Sequence, residues 1–588
     1  MARRGMPALL MVMLILFPAA QGPSRVPLPS PPPVSITPAA TPEATPVMSG
    51  EELLYAAVLP AYRQEIMAAT ADKLPRYTIT ATLHPALLVP AATPVTDPNT
   101  GAAGVSTPAA TEETLPPATV TGTIELRFVN FTGVALPELY LRLYPNLDRY
   151  PGGGLEVRDL RVDGFSIPPV SLALPNPPGN PAAASPSARP AASSDPTLRR
   201  VRLLTPVAPG DVTTLTMAFT TTVPPAPEDG SGIFGITQET GTWALANWFP
   251  VLAGYDPASG WDLGPPAPWS DPLFANAALF DVKLTAPGEL TLVTTGVRVE
   301  ERTEGDTMVR RFVTGPARDF TVVADDEFTS ASMLINGTTV TAHFAPDQLG
   351  GRLINIWAAA ALEIYNELYG PYPYAELDVV AVPGVIGYEF SQLIYIGGDF
   401  FADPVGAASR PEAAEFLVAH EVGHQWWYGL VGNNPHRHAF LDEGLAEYGA
   451  ILYFERRYGE LDAQAQTDVG LSLRYATMLL TSGDQIVDQR SAAFPDGLAY
   501  FTTVYRKAAL GLTALRAEIG DEAFFAGLRD YLATMRFGVA QPDDMRAAFE
   551  RAAGQDLTSF WTSAFEATEG RVSVVVIATP TIGTPEPR

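Results

Sequence analysis

Residues 420–424 read His-Glu-Val-Gly-His, two histidines four apart with a glutamate beside the first. On a helix, positions i and i+4 share a face, so the imidazoles of His420 and His424 can reach one ion. Glu421 then lies where it can contact a water on that ion. The preceding Ser409-Arg410-Pro411-Glu412 has the capping-box pattern of a helix start, and Phe416, Leu417 and Val418 continue the helix. A hydrolytic zinc takes three protein ligands and keeps one position open. A histidine six residues past His424 would complete one common set, but residue 430 is leucine. A glutamate on a following helix is the other common choice, and segment 441–447 (LDEGLAE) offers Glu443. Asn433-Asn434-Pro435 breaks the first helix and lets the chain return, and Leu441, Leu445 and Tyr448 give the second an apolar stripe. The chain has six histidines and no cysteine, so a metal site must use imidazoles and carboxylates, a donor set that favours zinc. With a carbonyl polarised by such an ion, Glu421 can take a proton from water and return it to a leaving amine, which is amide hydrolysis.

These residues need a scaffold, and 588 residues are too many for one core. A formal net charge of −27 argues against a nucleic-acid partner, because phosphate binding needs a basic face. Arg3 and Arg4 precede an apolar run from Met6 to Ala20, with small residues at Ala19, Ala20 and Gly22, so residues 1–22 read as a signal peptide. The run is short for a membrane span; export to the extracellular space or cell surface is expected, with attachment through an uncleaved N-terminal segment as the alternative. Residues 23–74 read as a Pro/Ala-rich spacer with a short helical lead-in. Over 75–345 the signal is β: in 120–130, Ile124, Leu126 and Phe128 alternate with Thr123, Glu125 and Arg127, and 138–144, 212–222, 279–295 and 308–327 behave likewise. Pro-rich tracts at 91–118 and 175–197 read as long loops inside that antiparallel β domain. The texture changes near Gln348. Apolar residues at helical spacing cover 348–369 up to Gly370-Pro371, a strand follows at 377–382, and helices dominate beyond residue 409. The catalytic domain is placed at 346–570 and a Pro/Thr-rich tail at 571–588.

The segment HEVGHQWWYGLV, followed by Glu443 in FLDEGLAEY, resembles the M1 aminopeptidases, the gluzincin family that includes aminopeptidase N. Residues 371–382 (PYPYAELDVVAV), 384–394 (GVIGYEFSQLI) in the place of the family's Gly-x-Met-Glu-Asn motif, and 503–509 (TVYRKAA) resemble it too. The resemblance is strong over 346–570 and weaker over the β domain, for instance at NWFP, 247–250. It implies a multidomain α+β chain, with an N-terminal antiparallel β domain before a mainly helical, thermolysin-like zinc peptidase domain. On this resemblance, the family's large C-terminal helical domain is expected to be lacking. It also implies one zinc ion, peptide substrates, Tyr505 as donor to the oxyanion and Glu389 as anchor of the substrate's free α-amine.

Two departures bear on specificity. Phe390 replaces the motif's asparagine and Tyr388 its methionine. The place of a second amine-pocket residue from the β domain falls at Gly241, with Gln238 and Glu239 nearest. A hydrolase of relaxed or endo specificity and a non-catalytic peptide-binding surface protein are the competing readings; the second has no need of Glu421. Glu447, one turn past Glu443, reads either as a group that orients a ligand or as an exposed helix carboxylate. His436 and His438 read as solvated rim residues, His84 and His343 lack ligand spacing, and Trp426 and Trp427 read as packing behind the metal helix.

Overall fold

In the computed structural model of the chain, which describes residues 48, 50–86, 117–167, 170–173, 194–227, 232–407 and 410–568, the period-two segments become strands. The signal peptide, the Pro-rich tract before residue 48, most of the tracts at 91–118 and 175–197, and the tail lie outside the described residues. Thr119–Val129 runs antiparallel between Arg76–His84 and Val212–Thr222. Its Ile124, Leu126 and Phe128 enter the core while Thr123 and Glu125 face solvent, as the alternation requires. The parent sheet has eight strands, in the order Val297–Glu304, Thr307–Ala317, Ala278–Pro287, Arg76–His84, Thr119–Val129, Val212–Thr222, Gly154–Val162 and Phe165–Ser166. One pairing departs from the antiparallel expectation: Arg76–His84 and Ala278–Pro287 run parallel, in register from Arg76↔Leu279 to Thr82↔Thr285. A parallel pair needs a long return, supplied by the strands between His84 and Ala278. Two four-stranded sheets and a two-stranded ribbon, Tyr255–Asp256 with Gly260–Trp261, complete this half among the described residues.

The change of texture comes earlier than the sequence places it. Thr329–Ile335 and Thr338–Phe344 form a hairpin whose second strand pairs in parallel with Glu376–Val382. Both strands therefore belong to a five-stranded sheet of the second half, in the order Thr329–Ile335, Thr338–Phe344, Glu376–Val382, Leu393–Gly397 and Gly387–Phe390. Their alternation, with Thr338, Val340, Ala342 and Phe344 buried, has the same period as the strands before them, so periodicity alone assigns them to the wrong half. Helix Gly351–Tyr369 packs on this hairpin and stops at Gly370, whose φ of +119° a side chain would resist. The helical lead-in forms as Gly50–Tyr55 and Pro60–Thr70, and Leu54, Tyr55, Val58 and Ile66 join the core of the second half.

The two halves are stapled by Arg318, 2% exposed. Its guanidinium donates to the carbonyls of Ala275 (3.4 Å) in the first half and of Tyr428, Leu430 (3.4 Å) and Gly538 (2.7 Å) in the second. Next to it, Asp319 accepts from the Ser391 amide (2.9 Å), the Ser391 hydroxyl (2.9 Å) and the Tyr428 hydroxyl (2.8 Å). Burial raises the pKa of Asp319, and these donors oppose the rise. Ser391 closes the strand Gly387–Phe390, so this network anchors the sheet edge nearest the histidine pair.

Candidate metal centre and active site

The histidine helix runs Ala413–Gly423, with His424 at its C-cap. Helix formation begins after the expected capping box: Glu412 is the N-cap and its side chain makes no cap bond, while Ser409 lies outside the described residues. The next long helix, Glu443–Tyr458, starts at Asp442, whose Oδ1 accepts the Glu443 amide at 2.8 Å. The two helices can approach because residue 423 is glycine; a Cβ there would stand 3.3 Å from Ala446 Cα. That closeness lets Glu443, on the first turn of one helix, reach both histidines of the other.

His420 Nε2 lies 3.1 Å from His424 Nε2, and Glu443 Oε2 lies 3.3 Å from each. The far nitrogens face away: His424 Nδ1 donates to the Trp427 carbonyl at 3.0 Å, and His420 Nδ1 lies 3.2 Å from Glu447 Oε2. Both Nε2 lone pairs are thereby turned toward one point. Glu443 Oε2 is buried with no hydrogen-bond partner among the described residues. Zinc bonds of about 2.0–2.1 Å in a tetrahedral array separate neighbouring ligand atoms by about 3.3 Å. The three atoms found here match that spacing, so the donor set fits a zinc ion.

The electrostatics agree. Burial works against charge on His420, but Glu443 and Glu447 outweigh it and raise its pKa to about 9. Burial opposes charge on His424 as well, and Glu389 and Glu443 carry its pKa well above the ordinary value. Burial would lift the Glu443 carboxyl; the two histidines instead hold it well below the usual range. The carboxylates around the two imidazoles thus favour positive charge at this point, which a bound cation would supply once the imidazoles are deprotonated.

Glu421 is buried beside this set, and its pKa is pushed up to about 7, first by burial, with His420 and His424 opposing. Its Oε2 has no hydrogen-bond partner among the described residues. The edge strand Gly387–Phe390 runs against it so closely that a Cβ on Gly387 would stand 2.3 Å from Glu421 Oε1 and 2.8 Å from Leu417 Cδ1. That strand carries Glu389, whose carboxylate falls within 4.8 Å of ligand atoms of Glu421 and His424. Burial, followed by the Asp271 carboxyl, raises the Glu389 pKa well above the usual value. Phe390 is buried against Tyr395, ring centroids 4.7 Å apart, so the residue in the motif's asparagine place packs in the core. Tyr505 sits in a π-helical turn, Thr502–Lys507. Its hydroxyl donates to Glu443 Oε1, and its ring stacks on His420 with centroids 5.7 Å apart and an 11° tilt. Burial and then Glu443 raise its pKa, so the hydroxyl keeps its proton.

Two expectations need correction. Gln238, Glu239 and Gly241 lie exposed at a turn, whereas the carboxyl acting most strongly on Glu389 is Asp271, in the loop before Ala278–Pro287. Burial, then Glu443, lifts Asp271 to about 7, and its carboxylate has no hydrogen bond or ion pair among the described residues. His436 is not a solvated rim residue: its Nδ1 lies 2.8 Å from Asp262 Oδ2 and its Nε2 3.1 Å from the Asp271 carbonyl oxygen, tying the Asp271 loop to the second half. His438 pairs with Asp488 at 2.6 Å, His343 with Asp378 at 2.8 Å, and His84 meets Thr121 at 2.8 Å, all away from the ligand set. Trp426 and Trp427 are fully buried, as expected of packing residues.

Residues 356–564 match the peptidase family M1 domain. Aminopeptidase M1-B of Oryza sativa subsp. japonica is 26% identical over 320 residues, 50% of this chain and 35% of that protein. Glutamyl aminopeptidase of Bos taurus is 27% identical over 263 residues, 40% of this chain and 26% of that protein. The chain thus spans about a quarter to a third of the length of these curated relatives. The crystal structure of the M1 zinc metallopeptidase from Deinococcus radiodurans superposes with a TM-score of 0.57 at 16% identity, covering 84% of this chain and 94% of the other, which shows a shared fold.

Proposed function

We propose that this chain, which belongs to peptidase family M1, removes N-terminal residues from peptides as a zinc-dependent aminopeptidase. The observation that carries the reading is the buried set His420, His424 and Glu443, with mutual distances of 3.1–3.3 Å and Glu421 alongside. A zinc ion held by these three residues would supply Lewis acidity toward the scissile carbonyl and the attacking water. Glu421, lifted to about 7, is poised to accept the water's proton and pass it to the leaving amine. Tyr505, kept protonated, donates to the oxygen that gains charge as the carbonyl is attacked. Glu389 and Asp271, two carboxylates with no ion pair among the described residues, receive the substrate's α-ammonium. Glu447, 3.2 Å from the far nitrogen of His420, is placed to orient that ring. The apolar run after Arg3 and Arg4 supports export of the chain. Among the described residues no helix is long and apolar enough to cross a membrane.

Aminoacyl anilides with free and with acetylated amines test this reading. Only the free-amine substrates should be cleaved, and Glu389→Gln should raise KM for them by about tenfold or more, the worth of a charge-assisted hydrogen bond. Equal cleavage of both would remove amine recognition and leave the relaxed-specificity hydrolase; cleavage of neither by the zinc-loaded chain would remove the peptidase reading.

The strand contact gives a further expectation. Gly387→Ala should displace Glu421 and lower kcat by about a hundredfold, the cost of misplacing a reacting group by an ångström. Metal content, measured in the same sample, should not change; an unaltered kcat would show that Glu421 does not need this strand.

A further inference from the structure

Glu389 stands on a hairpin, and the turn of that hairpin sets where its carboxylate lies relative to the metal-binding residues. Strands Gly387–Phe390 and Leu393–Gly397 pair from Gly387↔Ile396 to Phe390↔Leu393, which leaves Ser391 and Gln392 to reverse the chain. Gly387 packs against Glu421, and Glu389, two residues further along the strand, shares that face. Gln392 takes a φ of +63°, a left-handed conformation that a residue with a side chain keeps only when its surroundings impose it.

Part of that constraint comes from the metal helix. Gln425 directly follows His424 and is 1% exposed. Its Oε1 accepts the Gln392 amide at 2.9 Å, and its Nε2 donates to the Phe390 carbonyl at 3.0 Å. One primary amide therefore closes the two backbone groups that flank Ser391. Ionised glutamate could only accept here, and methionine has no donor to offer. Other bonds hold the turn from elsewhere. Asp319 accepts from Ser391, Gln392 Nε2 donates to the Thr314 carbonyl at 3.0 Å, and the Gln392 carbonyl accepts the Asp378 amide at 3.0 Å. Gln425 ties the same turn to the segment of a metal ligand.

We infer that Gln425 is a positioning residue, which fixes the Glu389 carboxylate at a set separation from the metal-binding triad and so admits substrates whose amine and scissile carbonyl are one carbon apart. This rests on the aminopeptidase reading. In an α-amino acid only Cα lies between the two groups, through bonds of about 1.46 and 1.52 Å. Glu389 is within 4.8 Å of ligand atoms of His424 and Glu421, so the span between anchor and ligand set is short. A shift of the turn by about an ångström is comparable to one extra carbon in the substrate. Geometry held this closely discriminates between the two lengths; a loosened turn does not.

Kinetics on alanyl, β-alanyl and N-acetyl-alanyl anilides test the assignment, using the zinc-loaded full chain with Gln425→Met or Gln425→Glu. The parent should prefer the alanyl to the β-alanyl substrate in kcat/KM. Each variant should keep its zinc, raise KM for the alanyl substrate by about three- to tenfold, the worth of a buried hydrogen bond, and shrink the preference over β-alanyl to a similar degree. Gln425→Glu keeps an acceptor for the Gln392 amide, so it carries the measurement if Gln425→Met does not fold. In a Glu389→Gln background, adding Gln425→Glu should change KM by less than about twofold, because the two act as one unit. An equal loss on all substrates with the preference intact, or effects of Gln425 and Glu389 that simply add, would overturn the positioning role. A parent that cleaves the acetylated and free anilides alike would sink the aminopeptidase reading. Gln425 variants that discriminate as well as a discriminating parent would sink the positioning role alone.

Discussion

Glu421→Gln should lower kcat by about a thousandfold or more while the protein keeps its metal, within the range that general-base catalysis contributes. The change is nearly isosteric at a site 4% exposed, so the close contact with Gly387 survives and the fold should not respond. What is lost is the proton acceptor. A carboxylate lifted to about 7 holds or releases a proton near neutral pH, and an amide can do neither. Metal is retained because the ligand atoms facing one another belong to His420, His424 and Glu443. The decisive measurement pairs elemental analysis with steady-state kinetics on a free-amine anilide. A variant within tenfold of the parent's kcat would move the base elsewhere, and Glu389, within 4.8 Å of the same cluster, would be the first group to examine.

The metal-binding triad was legible because its geometry is local. Residues four apart on a helix share a face whatever the surroundings, so His420 and His424 declare themselves, and Glu443 needs only one short return of the chain. Tyr505 and Glu389 became visible through resemblance, since a tyrosine before a helix and a glutamate between aromatics carry no spacing signal of their own. Asp271 was missed for a related reason. It stands in a proline-rich loop, and its place beside Glu389 depends on the tether from His436 and on the approach of the two halves at Arg318. His436 was misread because a histidine in a polar loop looks solvated until its partners, Asp262 and the Asp271 carbonyl, are known.

The fold shows the same division. Burial alternation in Thr119–Val129 follows from the residues themselves, because successive side chains of a strand must face opposite ways. Which strand lies beside which does not follow. Arg76–His84 takes the distant Ala278–Pro287 as a parallel neighbour, and Thr329–Phe344 joins the second half's sheet, although both read as ordinary antiparallel segments. Periodicity reports the face a residue shows; the partner is set by long-range packing.

Graded loss of metal should separate the roles of Glu443 and Glu447. Glu447→Gln should weaken zinc binding by about 10–100-fold, the usual effect of losing a group that orients a ligand from behind. Glu447 meets only the far nitrogen of His420, at 3.2 Å, and shares its charge with Arg506. Glu443→Gln should cost more than that range and abolish hydrolysis at ordinary zinc levels. Its Oε2 faces both Nε2 atoms at 3.3 Å, and an amide oxygen brings no charge to the site. Competition with a chelator of known affinity gives both constants, and thermal unfolding with and without zinc gives an independent reading. Ligand binding stabilises the native state by RT ln(1 + [L]/Kd), about 4 kcal/mol when zinc stands at a thousand times its dissociation constant. The parent should therefore show the full zinc-dependent rise in melting temperature, Glu447→Gln a reduced one, and Glu443→Gln almost none. Equal losses in the two variants would mean that Glu447 enters the coordination sphere; an unchanged affinity in Glu443→Gln would remove it from the ligand set and return the third position to Glu389, the other carboxylate that meets His424 and Glu421.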